Sequence, residues 1–228
     1  MKIMGIASSP HRDGNSVTLL REALKGAQEA GAETEEIYLP DYDIRYCKGC
    51  MGCLSGDRCT IPDDLNGLRE KLVEADGIIL SSPTYGLAPN ATMKNFSDRI
   101  GMHAVYRSLL GDKYVAGIAT AGAIGARKTA KMLTDIADGF HRNGRISGLL
   151  GVRIGHGDAT AALPQAHTLG RKIAEDIRSQ KKYPLQRLFG NLINALVLKR
   201  LMRKNVLEHK AGAMKGVYEH WLAKGYIR

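Results

Sequence analysis

The chain has 228 residues, 44% hydrophobic and 25% charged, enough for one full domain with its own core plus an appendage. No stretch is long and apolar enough to span a membrane, and the first residues lack the basic start and apolar centre of a signal peptide, so a cytoplasmic location is the default expectation. The net charge of +10 is unevenly placed: residues 181–228 hold eleven Lys/Arg against two Glu while residues 1–180 are nearly neutral, which argues against a uniform nucleic-acid-binding surface.

In chain order, residues 2–7 form a short apolar run that stops at Ser8-Ser9-Pro10. Asn15 and Ser16 are suited to cap a helix, and Val17, Leu20, Ala23, Leu24 and Ala27 follow at helical spacing until Gly31. Residues 35–39 read as a second strand. Residues 41–62 are irregular, and a helix capped by Asp63 or Asp64 runs to about residue 75. A buried strand at 77–82 stops at Pro83, and a helix covers about 91–103. The spacing then predicts a strand over 114–119, a helix over 126–140, a strand over 145–152 and a helix over 161–179. Five such alternations imply a parallel sheet covered on both faces. The expected fold is α/β, a three-layer flavodoxin-like arrangement of five parallel strands with ligands beyond the strand C-termini. Residues 1–180 would be the main domain, with a cysteine-rich loop inserted at 45–62, and residues 181–228 a basic helical C-terminal extension.

Three loops should meet at one sheet edge. The first, residues 8–16, joins a strand to a helix whose N-terminal N–H groups favour a phosphate. Ser9, Asn15 and Ser16 add donors and Arg12 a formal charge. It has neither the Gly-x-Gly-x-x-Gly of dinucleotide folds nor a Gly-Lys-Ser/Thr ending, so a monophosphate fits better than a pyrophosphate; a plain polar turn is the other reading. The second loop holds Pro83, Thr84, Tyr85 and Gly86, and the third Thr120, Ala121, Gly122 and Gly125. Their glycines let backbone approach a flat ring, and Tyr85 can cover one or be an ordinary half-buried tyrosine.

All four cysteines lie in Cys47-x-x-Cys50-x-x-Cys53-x₅-Cys59. Clustering of this kind points to a metal or redox site instead of a disulfide framework. Four thiolates suit a 4Fe–4S cluster or zinc, although two separated Cys-x-x-Cys knuckles would be usual for zinc; reduced free thiols are the third reading.

Ser-Ser-Pro-x-x-x-Gly-Asn-Ser at 8–16, Ser-Pro-Thr-Tyr-Gly at 82–86 and Met93-Lys94-Asn95-Phe96-Ser97-Asp98-Arg99 resemble the NAD(P)H-dependent FMN reductase-like group of flavodoxin folds over about residues 1–180. The compact cysteine pattern, leaving through Cys59-Thr60-Ile61-Pro62-Asp63-Asp64, resembles the iron–sulfur flavoprotein family. That resemblance implies FMN, with its phosphate on Ser9, Arg12, Asn15 and Ser16 and its ring along 83–86 and 120–125. It implies a 4Fe–4S cluster on Cys47, Cys50, Cys53 and Cys59, and a homodimer or homotetramer in which a cluster approaches a neighbour's flavin. Lys94, Asp98 and Arg99 are expected to fix their helix in place.

The function expected is an FMN-dependent oxidoreductase that passes electrons between a ferredoxin-like donor and a small acceptor such as a quinone, O₂ or peroxide, with no catalytic acid, base or nucleophile. NAD(P)H-dependent flavin or quinone reduction, and a non-catalytic redox sensor or binding module, are the alternatives. The C-terminal extension should open an amphipathic helix at Pro184, with Leu185, Leu188, Phe189, Leu192, Leu196 and Val197 on one face, and a second helix should end near Trp221. We expect this segment mainly to build the oligomer.

Overall fold

Side chains alternate between two cores along the central strands, and that alternation builds a three-layer molecule. The computed structural model describes residues 1–155, 157–186 and 198–227. Its strands are β1 (Lys2–Ala7), β2 (Glu33–Tyr38), β3 (Gly77–Tyr85), β4 (Ala88–Pro89), β5 (Tyr114–Ala121) and β6 (Arg145–Arg153). Five run parallel in the order β2-β1-β3-β5-β6, and β4 is a short antiparallel partner of β3. Ile3, Ala7, Ile79, Ala116 and Ile118 face one core. Met4, Ile6, Ile78, Leu80 and Val115 face the other. This is the period of two expected of strands buried on both faces.

Helices α1 (Asn15–Glu29) and α6 (Leu163–Arg178) cover the first face. Where they cross, backbone meets backbone: a Cβ on Gly170 would stand 1.7 Å from the Ala23 carbonyl oxygen. The second face carries α3 (Leu65–Glu74), α4 (Ala91–Arg107) and α5 (Ala126–Asp135). Between β2 and α3 lies an irregular stretch whose regular pieces are a 3₁₀ turn at Leu39–Asp41 and the four-residue α2 (Gly52–Ser55). Two C-terminal helices, α7 (Lys199–Glu208) and α8 (Lys215–Ala223), complete the described chain. Among the described residues no helix is long and apolar enough to cross a membrane.

The expected element order holds, with displaced ends. β2 begins at Glu33 and yields to a 3₁₀ turn at Leu39. β3 does not stop at Pro83: it pairs Thr84 with Pro89 and Tyr85 with Ala88 through a hairpin whose central residues, Gly86 and Leu87, both have positive φ. α4 runs on to Arg107, where Ser108 takes a left-handed conformation. α5 ends at Asp135, five residues early, because the Ala137 and Asp138 N–H groups turn back to carbonyls three residues before. Neither Asn15 nor Ser16 caps α1; the cap position is Gly14 and it makes no side-chain cap. The amphipathic run expected after Pro184 lies, from residue 187 to 197, outside the described residues.

Candidate flavin and cysteine sites

The chain reverses its direction across the sheet between β1 and β3, and their C-terminal ends define the crevice where such sheets bind ligands. A ladder of hydroxyls joins these ends. Ser8 Oγ donates to the Ser81 carbonyl at 3.1 Å, and Ser81 Oγ donates to the Ser16 carbonyl at 2.7 Å. Asn90, the N-cap of α4, donates from Nδ2 to the Ser8 carbonyl and accepts the Met93 N–H. The first turn of α1 is thereby held against β1 and β3.

Each residue expected at the phosphate loop has a definite place. Ser9 is buried, and its hydroxyl accepts the His11 N–H at 3.1 Å. Asn15 Oδ1 accepts the Ala159 N–H at 2.9 Å and so ties the loop to the segment after β6. Ser16 is buried at the helix start, where the N–H groups of Asn15 and Ser16 have no carbonyl one turn before them. The Arg12 guanidinium is paired with Asp41 and stands 4.3 Å over the Tyr38 ring. Its charge is the one of the set already matched inside the chain.

The other two segments sit side by side, with Pro83 in register with Thr120. Pro83, Thr84 and Tyr85, and likewise Thr120 and Ala121, are strand ends and not loop residues as expected. Beyond them, Gly86 and Gly122 have open space where a Cβ would be. Gly125 has φ +93, and a Cβ there would meet Leu87 Cδ2 at 3.0 Å. Tyr85 is 55% exposed and Ile124 72%. Between these segments the Thr84 hydroxyl oxygen is buried without a protein partner. A buried polar group in that state is a place for a ligand or water. Open backbone, an orphaned hydroxyl and a helix start at one sheet edge suit a flat ring carrying one phosphate.

The cysteine loop is irregular but well tethered. Asp63 receives the Arg45 N–H at 3.0 Å and the Leu65 N–H at 3.2 Å. Asn66 holds Cys59 by both backbone groups, at 3.0 Å each. Gly49 and Met51 take left-handed conformations to turn the chain between thiols. Cys47 and Cys50 are exposed, Cys53 and Cys59 half-buried. Cys47 Sγ accepts the Gly49 N–H at 3.4 Å, and Cys59 Sγ accepts from Arg99 Nη2 at 3.3 Å. The Gly52 N–H and the Thr60 hydroxyl pull the Cys50 thiol below its usual value. Burial pushes that of Cys53 up, and the neighbouring Cys59, Cys50 and Cys47 add to the rise. Donors aimed at sulfur are what a cluster's thiolates use. Yet among the described residues no three Cys, His, Asp or Glu side chains are grouped closely enough to hold a metal ion. The donor set is chemically right for a metal; its gathering is not seen.

Helix side chains surround this loop, and of these Arg107 and Arg69 were missed in the sequence. Arg99 does fix its surroundings, as expected, and it also touches sulfur. Lys94 and Asp98 pair with each other on α4. Arg107 reaches the carbonyls of Cys53, Gly56 and Gly216. Arg69 pairs with Asp57 and stands 3.3 Å from Nδ1 of the buried His103. Two arginines eight apart on one helix and a third on another carry no sequence signal for such roles.

This geometry defines a flavodoxin-fold flavoprotein with a cysteine-rich insertion. The chain belongs to the iron–sulfur flavoproteins of the NADPH-dependent FMN reductase family, whose family model matches residues 1–149. It is 32% identical to an iron–sulfur flavoprotein of Archaeoglobus fulgidus, over 100% of both chains. It is 34% identical to one of Methanocaldococcus jannaschii, over 80% of this chain and 100% of that protein. Among solved structures, a flavone reductase matches with a TM-score of 0.62 and 24% identity, covering 79% of this chain and 64% of that one. An archaeal flavodoxin matches with a TM-score of 0.54 and 15% identity, covering 78% and 99%. These two show the fold. The chain is an FMN-dependent oxidoreductase.

Proposed function

We propose that this oxidoreductase holds a 4Fe–4S cluster on Cys47, Cys50, Cys53 and Cys59 and passes electrons between a ferredoxin-like donor and a small acceptor such as a quinone, O₂ or peroxide. FMN and such a cluster together interconvert one-electron and two-electron chemistry. The observation that carries the reading is the donor set: four cysteines in one loop, with the Gly49 N–H, the Thr60 hydroxyl and Arg99 each against one of three sulfurs. Ser9, Asn15 and Ser16, with Arg12 released from Asp41, would take the FMN phosphate. Pro83, Thr84, Tyr85 and Gly86 would line one side of the ring, and Thr120, Ala121, Gly122 and Gly125 the other. The chain's own work is to bind, orient and shield; no side chain near the orphaned Thr84 hydroxyl is needed as an acid or base. Exposed Tyr85, Leu87 and Ile124 at this edge support a homodimer or homotetramer that covers them.

Anaerobic purification with iron, acid-labile sulfide and zinc measured per FMN tests this. About four iron and four sulfide per FMN are expected for a cubane. Zinc without sulfide would overturn the cluster. The family's description as NADPH-dependent favours a second reading, in which nicotinamide reduces the flavin directly. Rapid bleaching of the flavin by NADPH alone selects that reading; bleaching by reduced ferredoxin selects the first.

A further inference from the structure

The C-terminal helix α8 packs on the cysteine loop itself. Leu54, in α2, is buried among Val206, Met214, Val217, Trp221 and Ile227, with Cys53 packed against the same group. Contact at the start of α8 is backbone on backbone: a Cβ on Gly216 would stand 2.5 Å from the Gly56 carbonyl oxygen. One buried side chain spans the joint. Arg107 Nη1 donates to the Gly216 carbonyl at 3.0 Å, while Nη2 donates to the Cys53 carbonyl at 3.3 Å and to that of Gly56. Trp221 Nε1 donates to the Tyr106 carbonyl at 2.6 Å, and His220 Nε2 meets the Arg107 carbonyl at 3.2 Å, so the helix is anchored to the same turn of α4.

We propose that α8 and Arg107 form a clamp that sets the position of Cys53 and closes its inner side to solvent, making the C-terminal extension a working part of the cysteine site. The extension then does more than cover the domain: it presents one thiol in a fixed place while Cys47 and Cys50 stay open on the outer side. Gly216 and Arg107 are positioning residues, because both act on Cys53 through backbone. As a contribution to holding a cluster, the clamp rests on the reading of the four cysteines given above. As a device that shields one thiol, it does not.

Gly216→Ala in the full chain is the test, because its methyl group must push the Gly56 carbonyl away without altering the loop's own residues. Gly212→Ala is the control, since a Cβ there meets nothing within 4 Å. Each protein is stripped of metal under anaerobic conditions. It is then treated with iodoacetamide, and alkylation of each cysteine is timed by peptide mass spectrometry. Gly216→Ala is expected to speed alkylation of Cys53 by about tenfold or more, as an overpacked contact that opens locally would do. Cys47 and the FMN content should stay as in the parent. Arg107→Lys, which keeps the charge but loses the fork, should move Cys53 the same way. In protein not stripped of metal, both variants should hold less iron per FMN. Parent-like alkylation of Cys53 in both variants would overturn the clamp. Iron-free parent protein would overturn only the cluster reading, because the Cys53 contrast is measured without metal.

Discussion

Arg99 donates Nη2 to the sulfur of Cys59 at 3.3 Å while its guanidinium forks onto Asp63, at 2.6 and 3.1 Å. Both side chains of this ion pair are buried, 1% and 0% exposed. Breaking such a pair from one side leaves a charge uncompensated and costs about 3–5 kcal/mol. Arg99→Leu should lose about that much in urea unfolding, and adding Asp63→Asn should recover part of it. A single-variant loss below about 1 kcal/mol would show that the pair is solvated, as surface pairs are.

Acid should loosen the molecule through its buried histidines. His103 is 1% exposed, and burial together with the charges of Arg69 and Arg107 pushes it down to about 4. Its folded value lies below the unfolded one, so its contribution is complete above about pH 6.5 and is lost as pH falls from there to 4. The full span is about 3 kcal/mol. His141, pushed down by burial to about 4 as well, adds a smaller slope because it is only half-buried and solvent screens it. Urea midpoints between pH 7 and pH 4 should therefore fall, and His103→Gln should flatten the fall without abolishing it. An identical slope in that variant would assign the effect elsewhere.

Gly125 offers a selective probe of the candidate flavin edge. Its φ of +93 strains any residue with a side chain, and a Cβ there would press on Leu87 Cδ2 at 3.0 Å. The left-handed backbone costs a substituted residue about 1–2 kcal/mol. Gly125→Val is expected to weaken FMN binding by tenfold or so while far-UV circular dichroism stays unchanged. Retention of FMN at parental affinity would remove residues 120–125 from the ring site.

The chain contains one tryptophan, Trp221, 1% exposed in a small apolar group separate from the two sheet cores. Small satellite units open at lower free energy than the main core. In rising urea its emission should shift red before far-UV ellipticity is lost, and Arg107→Met should move the shift to lower urea. Coincident transitions in both proteins would mean that α8 unfolds only with the sheet.

The frame of the molecule was legible because apolar runs and glycines repeat in step with a βα alternation. What escaped was settled by distant partners. Asn15 looks like a cap, but its oxygen is taken by the Ala159 N–H, 144 residues away. Pro83 looks like a strand end, but the hairpin at Gly86 and Leu87 draws β3 two residues further. The four cysteines announce their chemistry by spacing. Nothing in residues 215–223 announces that their helix rests on α2, since an amphipathic pattern specifies a buried face and not what covers it.

Helix α4 has a part in the cysteine loop that its sequence does not advertise. Asn95 holds the Ile44 carbonyl at 2.6 Å, Arg99 holds the Arg45 carbonyl and the Cys59 sulfur, and Arg107 holds the carbonyls of Cys53 and Gly56. From Asn95 to Arg107 is twelve residues, about 18 Å of rigid rise. The loop is stitched to a ruler, and the ruler begins at Asn90, which meets the Ser82 hydroxyl and the Ser8 carbonyl at the candidate flavin edge. A flavodoxin given these cysteines alone would thus receive the thread without the seam. To transplant the site, one would have to carry α4 along with the loop.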